Sequence, residues 1–258
     1  MPLAHGLALS PSGEWLVAVD AGQAHLVVLR FSESSGTLSV AHSYPQPPPK
    51  ASGRSCLQTL LVRGIGHRPR HAAFGVDGRT LFVVHEGGNA LCIHAFDTTT
   101  GTIARARQTL PLAGGTTGGV GVGGRCGLYV DAPAEVAVHA ASGSVLASVR
   151  GLNAPSRLAA FRGAERGGSG RSGGSGNDAY GRSAEHIVGS NPRHFCLDSS
   201  QHMLLLGTAG AISVYDVAND DGSLSLRACN QLGPCDEAAK ARGKPVDIDC
   251  IAIVPRRG

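Results

Sequence analysis

The sequence is poor in aromatic and charged residues, at 4% and 16% of 258 residues. The formal net charge is only +4, and the arginines form no continuous stripe with interleaved aromatics, which argues against a nucleic-acid partner. No stretch approaches the roughly 18 apolar residues of a membrane span. The N-terminus also lacks the charged start and apolar run of a signal peptide. We therefore expect a cytoplasmic protein without nucleic-acid or membrane partners.

Cysteine is present without the spacing of a metal or disulfide framework. The seven cysteines are odd in number and are never arranged as Cys-x-x-Cys. Because several, such as Cys92 and Cys196, lie within apolar stretches, they are predicted to be buried thiols in a reducing compartment. The histidines His25, His42 and His186 also lack ligand spacing. No metal and no cofactor are expected.

Glycine is abundant, with 37 residues, and it punctuates a repeat of two apolar strands joined by a tight turn. The four copies are centred on Gly13, Gly78, Gly143 and Gln201. Two further strands follow each hairpin, although no fourth strand is recognisable in the third copy. Units of about 40–50 residues with four strands are typical of a β-propeller. The predicted fold is therefore all-β, with about four blades, each a four-stranded antiparallel sheet.

The repeats define one domain over residues 1–258, interrupted by insertions. A proline-rich insertion is predicted at 45–66, and glycine-rich insertions are predicted at 112–127 and 163–183. A last strand is predicted at 246–254, where it would close the ring by joining a blade built from the other terminus.

Alignment on the turn residue brings the ionisable residues into phase. Those before the turn are His5, Arg70, Glu135 and Arg193, and those after it are Asp20, Glu86 and Arg150. Because an antiparallel hairpin begins and finishes at the same end, all of them are predicted at one end, opposite the turns. Strand alternation turns His71 and His194 towards a neighbouring blade, which favours a packing role for them.

These segments resemble a known family. Pro69–His71, Val84–Glu86, Ser148–Gly151 and Asn191–Phe195 resemble, in order, motifs of the lactonase-type seven-bladed propellers. That family includes bacterial 6-phosphogluconolactonase and fungal carboxymuconate-lactonizing enzyme. The likeness covers nearly the whole chain outside the insertions. Since Met1 stands where a family member would already be about three blades along, the resemblance suggests an incomplete gene model or a shortened paralogue.

The resemblance implies a catalytic set. The family's His, two Arg and Glu at the channel mouth correspond to His5, Arg70, Arg150 and Glu86. They imply hydrolysis of an anionic sugar lactone, as in 6-phosphogluconolactonase, with a small anionic lactone or carboxylate as the partner. His5 or Glu86 would be the base. Arg70 and Arg150 would hold the oxyanion or the substrate's anionic group.

Three further residues at the same end are expected beside the substrate: Arg193, Asp20 and Glu135. Of these, Asp20 and Glu135 are interpreted mainly as ion partners for the arginines. Arg70 is expected at a strand end that faces solvent.

Other functions fit the same residues. A cycloisomerase that closes an unsaturated dicarboxylate to a lactone would use the same groups. A non-catalytic propeller would bind a partner, and its mouth residues would only tie the blades together, for example through an Arg70–Glu86 ion pair.

Overall fold

The computed structural model describes residues 1–47, 68–112, 131–151, 155–163, 179–232 and 248–253. These ranges contain sixteen strands in four antiparallel sheets, and each sheet is made of four consecutive strands. This arrangement confirms the predicted all-β propeller blades. Within the same ranges no helix is long or apolar enough to cross a membrane. Most residues of the three predicted insertions lie outside the described ranges.

The strands are numbered in chain order. Blade one consists of β1 (Ala4–Leu9), β2 (Trp15–Asp20), β3 (His25–Ser32) and β4 (Thr37–Pro45). Blade two consists of β5 (Pro69–Phe74), β6 (Thr80–His85), β7 (Ala90–Ala95) and β8 (Gln108–Pro111). Blade three consists of β9 (Asp131–Val138), β10 (Val145–Gly151), β11 (Arg157–Gly163) and β12 (Tyr180–Ile187). Blade four consists of β13 (His194–Leu197), β14 (Met203–Thr208), β15 (Ala211–Val217) and β16 (Leu224–Gln231).

The turn residues of the four hairpins share one backbone conformation. Gly13, Gly78 and Gly143 have φ values of 75°, 64° and 67°, and Gln201 has a φ of 65°. Such left-handed values are easy for glycine and costly for other residues. The fourth copy therefore keeps the turn geometry without the glycine, which supports the alignment of the repeats.

Alternation along the strands distributes apolar side chains between neighbouring blades. In β6, Leu81 and Val83 join a core cluster with blade one, whereas Phe82 and Val84 join a cluster with blade three. A third cluster lies between blades three and four. A strand buried on both faces has no room for polar residues on either, which explains the continuous apolar run of β6.

The contact between blades one and two includes the only tryptophan of the sequence. Trp15 is 4% exposed, and its indole N–H donates to the carbonyl oxygen of Thr98 at 2.8 Å. A Cβ atom at Gly101 would lie only 2.5 Å from the Trp15 ring. Glycine at position 101 therefore lets the indole approach the backbone of blade two closely.

The innermost strands of the blades lie next to each other. Strand β5 contacts β1 and β9, and β9 also contacts β13. These four strands bring the residues that precede each turn to one end of the blades, which we call the mouth. On the opposite flank of blade one, Leu7, Leu9 and Val40 are 68%, 54% and 69% exposed.

Two predictions about local structure were wrong. Blade three does have a fourth strand, β12. The strand was missed because its side chains alternate between partial burial and exposure and include few apolar residues. The described part of the predicted last strand, 248–253, is not a strand. Its Ile248 and Ile251 instead pack against Gly207 of blade four.

The prediction of buried thiols holds for only part of the cysteine set. Cys92 is buried, and burial raises the pKa of its thiol to about 11. Cys196 is half-buried, while Cys229 and Cys250 are exposed. All four are free thiols. The exposed pair lies on the last strand of blade four and on the segment after it, where no further described element covers them.

Candidate functional site

The candidate site lies where the pairing of two inner strands with their neighbours is irregular. The register of β1 with β2 shifts between Ala4 and Gly6, and that of β5 with β6 shifts between Pro69 and His71. The residues inside these bulges are His5 and Arg70. Since a bulge re-aims side chains and interrupts strict alternation, Arg70 and His71 can both reach the same space.

A cleft of about 610 Å³ opens there between the inner strands. Its ionisable lining comes from all four blades: His5, Arg70, His71, Glu135, Arg193 and His194, with Asp249 and Cys250 from the segment after blade four. We call this space the mouth cleft. The structure therefore brings together four of the residues predicted from the sequence, His5, Arg70, Glu135 and Arg193, together with two histidines that were assigned to packing.

Arg70 is more deeply placed than its position at a strand end suggested. It is 3% exposed, and its Nη1 donates to the carbonyl oxygens of Ala134 at 2.7 Å and Arg193 at 3.3 Å. Burial, and then the positive charge of Arg150, lower the pKa of Arg70 to about 10, so the guanidinium stays charged at neutral pH. The expectation of a solvent-facing Arg70 was wrong, because the inner strands of neighbouring blades face each other at this point.

Glu86 and Arg150 form an ion pair with each other beside the cleft. Arg150 Nε also donates to the carbonyl oxygen of Ala132 at 3.2 Å. The backbone N–H of Glu86 donates to the carbonyl oxygen of Arg68 at 2.9 Å. An inter-blade ion pair therefore exists, but the partner of Glu86 is Arg150 and not Arg70. The charges of both residues act on Arg70, and that of Glu86 also acts on His5.

The surroundings of His5 favour its neutral form. Burial, followed by the positive charges of Arg70 and His71, lowers the pKa of His5. Its Nδ1 is buried and has no hydrogen-bond partner. A neutral imidazole is the form that can accept a proton from water, and because Nδ1 is enclosed this role falls to Nε2.

Glu135 pairs with histidines and not with arginines. Glu135 is 6% exposed, with Oε1 2.7 Å from His71 Nδ1 and Oε2 3.2 Å from His194 Nε2. Burial lowers the pKa of His194, and Glu135 opposes that shift. Both histidines contact a neighbouring blade, as alternation predicted, but they also line the cleft. Within the described residues no three His, Cys, Asp or Glu side chains are arranged to hold a metal ion.

The two remaining predicted residues have other partners. Arg193 Nε lies 2.6 Å from Asp249 Oδ1, with a third of its side chain exposed. Asp20 is not among the lining residues of the cleft. Its Oδ1 accepts backbone N–H groups from Leu3 at 2.9 Å, Gly22 at 2.9 Å and Gln23 at 3.0 Å, so it caps the loop after β2. The interpretation of Asp20 as an ion partner for an arginine was wrong.

The four-stranded blades, with Arg, His and Glu side chains around the mouth cleft, place the protein in the class of β-propellers that have a polar cleft. Residues 1–235 match the model of the lactonase family of seven-bladed β-propellers. The chain belongs to that family. A search of curated protein sequences found no significant match.

Similar solved structures agree with this fold. A candidate 6-phosphogluconolactonase from Bacteroides uniformis superposes with a TM-score of 0.64 at 15% identity, over 90% of this chain and 56% of that one. A periplasmic gluconolactonase from Pseudomonas aeruginosa gives a TM-score of 0.63 at 19% identity, over 90% and 55%. This chain thus spans about 56% of the length of the solved structures it matches. At such identities the likeness shows the fold alone.

Proposed function

We propose that the mouth cleft hydrolyses an anionic sugar lactone of the 6-phosphogluconolactone type. One observation carries the proposal: His5, whose lowered pKa favours the neutral imidazole, shares the cleft with the guanidinium groups of Arg70 and Arg193. A neutral base beside fixed positive charge is what attack of water on a carbonyl requires. The lactonase family and the names of two structural neighbours support the same chemistry.

In this reaction His5 removes a proton from the attacking water. The negative charge that develops on the carbonyl oxygen is stabilised by Arg70, whose buried guanidinium is already held in place by backbone carbonyl groups. Arg193, which lines the cleft, is the first candidate for the substrate's phosphate or carboxylate, because planar guanidinium groups bind such oxygens bidentately. Arg150 is not among the lining residues and is paired with Glu86, so it would bind the anion only by exchanging that partner. Glu86 is less suited to act as the base because it is already paired with Arg150.

The direct test is acid release from 6-phosphogluconolactone by the purified protein, followed at constant pH against spontaneous hydrolysis. Uncharged gluconolactone provides the matched substrate, and we expect a lower kcat/KM for it because the arginines then lack an anionic group to bind. No rate above the spontaneous one for either lactone would contradict the proposal.

A muconate substrate separates the hydrolase from the cycloisomerase. If the ultraviolet absorbance of the muconate falls and no lactone is hydrolysed, the protein is a lactonizing enzyme and not a hydrolase. Inertness towards all three compounds would favour a non-catalytic propeller. The cytoplasmic, reducing compartment remains a prediction from the cysteine pattern, and one structural neighbour is periplasmic.

A further inference from the structure

We propose that His71, oriented by Glu135, donates the proton to the leaving oxygen when the lactone ring opens. The inference deepens the proposed hydrolysis and rests on it. Neither residue of this pair belongs to the catalytic set that the family resemblance implies. The pair is assigned here from the contacts of the two histidines in the mouth cleft.

The first step concerns the two ring nitrogens of His71. Its Nδ1 lies 2.7 Å from Glu135 Oε1, an oxygen that also accepts the backbone N–H of Val136 at 3.0 Å. The carboxylate is thereby fixed, and it fixes the proton of His71 on Nδ1. Nε2 is left for the cleft, where 17% of the side chain is exposed. A carboxylate that orients a histidine and stabilises its imidazolium is the arrangement of a proton-transferring dyad.

The second step concerns the space for the ring. Gly6 and His71 stand at equivalent positions of blades one and two, each one residue after the bulged residue. A Cβ atom at Gly6 would lie 2.9 Å from the carbonyl oxygen of Arg70, 3.2 Å from His71 Cα and 3.3 Å from His71 Cδ2. Glycine at position 6 therefore lets the backbone of β5 approach β1 closely, and the His71 ring packs beside that approach.

His194 provides an internal contrast, because its nitrogens lie against other groups of the protein. Its Nδ1 accepts the backbone N–H of Ile251 at 3.2 Å. Its Nε2 lies 3.2 Å from the other oxygen of Glu135, which is ion-pair distance without hydrogen-bond geometry. We assign it as a positioning residue that holds Glu135 from the side of blade four.

The third step is the balance of protons. The ring of His71 stands edge-on to that of His5, with 5.2 Å between centroids. Water loses one proton to His5 as its oxygen bonds to the carbonyl carbon. His5 passes that proton, directly or through solvent, to Nε2 of His71, which becomes an imidazolium with its Nδ1–H still on Glu135. The ring C–O bond then breaks, and the leaving alkoxide takes the proton from His71 Nε2, which returns His71 to its Nδ1–H form. The net product is the hydroxy carboxylic acid, which releases one proton on ionising to the carboxylate.

Several charged groups face His71 and set the proton distribution of the pair. They are His5 from β1, Glu135 from β9, His194 from β13 and Arg70 from its own strand. Both acid and base are therefore imidazoles in one cleft, with only one of them, His71, in contact with a carboxylate. Such unequal surroundings are how two like groups acquire opposite roles.

Two substitutions of His71 separate catalysis from structure. In His71→Asn the side-chain amide N–H can replace Nδ1–H towards Glu135 but has no group at the Nε2 position. In His71→Gln the amide reaches the Nε2 position and the bond to Glu135 is lost. We expect kcat to fall about 10²–10⁴-fold in both, the range for general acid–base catalysis, with KM within about twofold. In His71→Asn the thermal unfolding temperature should stay unchanged.

A merely structural bridge between blades predicts a different pattern. His71→Asn would then retain full kcat, His71→Gln would lose stability, and that result would overturn the inference. His202→Asn is the matched control, since this exposed histidine lies at the turn end of blade four and contacts Asn219. Its kcat and unfolding temperature should match those of the unaltered protein.

The last measurement keeps the inference independent of the proposed function. Nitrogen-15 NMR of the unaltered protein should report the Nδ1–H tautomer for His71, and Glu135→Leu, which removes the acceptor, should abolish that preference. If the unaltered protein hydrolyses no lactone, the proposed hydrolysis fails, and the tautomer then tests the pairing of His71 with Glu135 by itself. An Nε2–H tautomer, or a tautomer that Glu135→Leu does not change, would overturn the inference.

Discussion

The two ends of the four hairpins differ: the turn end is alike in all four blades, and the mouth end is not. At the turn end one arrangement occurs four times: the backbone N–H groups of Ser10, Gly75, His139 and Asp198 each donate across the turn, at 2.7–2.9 Å. At the mouth end, equivalent backbone positions carry His5, Arg70, Glu135 and Arg193. Repetition of the turn end reproduces the blade, whereas variation at the mouth end places different chemistry around one cleft. Substitutions at the two ends should therefore change different observables.

The largest expected effect is at the mouth, in His5→Gln. Removing the proposed base should reduce kcat/KM about 10²–10⁴-fold with little change in unfolding temperature. Burial and the charges of Arg70 and His71 lower the pKa of His5. In the unaltered protein, activity should thus persist below pH 6.5 and fall only as His5 becomes protonated at lower pH. A pH profile of kcat/KM checks this, and an acid limb above pH 6.5 would contradict the assignment.

The next effect separates two arginines of the mouth. Arg150→Lys should lower kcat/KM about ten- to a hundredfold, corresponding to about 1.5–3 kcal/mol of hydrogen bonding to a charged group. Arg70→Lys should show a similar kinetic loss and also reduce the free energy of unfolding by about 1–3 kcal/mol, because carbonyl groups of two other blades lose their donor. Kinetics and denaturant unfolding on the same preparations check both. An unchanged free energy of unfolding in Arg70→Lys would mean that Arg70 does not tie the blades.

A smaller effect is expected at the turn end, in Gly143→Ala. A Cβ atom there meets nothing within 4 Å, so the cost comes only from the φ of 67° and should be about 1–2 kcal/mol of unfolding free energy. Gly143→Asn is the matched variant, and it should cost less because asparagine tolerates this region. Both should leave kcat/KM unchanged. Altered kinetics in either variant would break the separation between the two ends.

The smallest effect is a pH dependence at the turn end of blade four. Although burial raises it, hydrogen bonds from the Ser200 hydroxyl and the Met203 N–H lower the pKa of Asp198 below its ordinary 3.8. Asp198 therefore contributes stability above pH 3.8 that disappears as the pH falls through the lowered value. Asp198→Asn should be slightly less stable at pH 7, by well under about 1 kcal/mol, and equally stable at low pH. Unfolding curves at both pH values check the sign.

The sequence predicted the blades well because the turn and the alternation are local. A turn residue with left-handed backbone angles, followed by an apolar strand, can be recognised within a single repeat. Four repeats with the same spacing make the prediction of each blade firmer. The same phase placed His5, Arg70, Glu135 and Arg193 together. It could not give their partners, since Glu135 contacts histidines of two other blades and Glu86 contacts Arg150. Those pairings depend on how far neighbouring blades are rotated, which no single repeat encodes.

His71 was assigned to packing because strict alternation places it on the other face from Arg70. The register shift between Pro69 and His71 breaks that alternation, and a single polar residue in a bulge carries no strong sequence signal. A usable signal existed at Gly6: a glycine at the position where the second repeat has His71 indicates a close approach of another group. The burial of Arg70 was missed for a related reason, because a strand end is exposed only when no neighbouring strand faces it.

The packing of Trp15 has a practical consequence for how the protein can be observed. It is the only indole in the chain, and its ring lies between blades one and two against Phe96, at a ring-centroid distance of 6.3 Å. Intrinsic fluorescence therefore reports the separation of that one pair of blades, while circular dichroism averages over all the strands. If the emission shifts to the red before the β-sheet signal decays, blades one and two separate before the strands unfold. If the two transitions coincide, the blades unfold as a single cooperative unit.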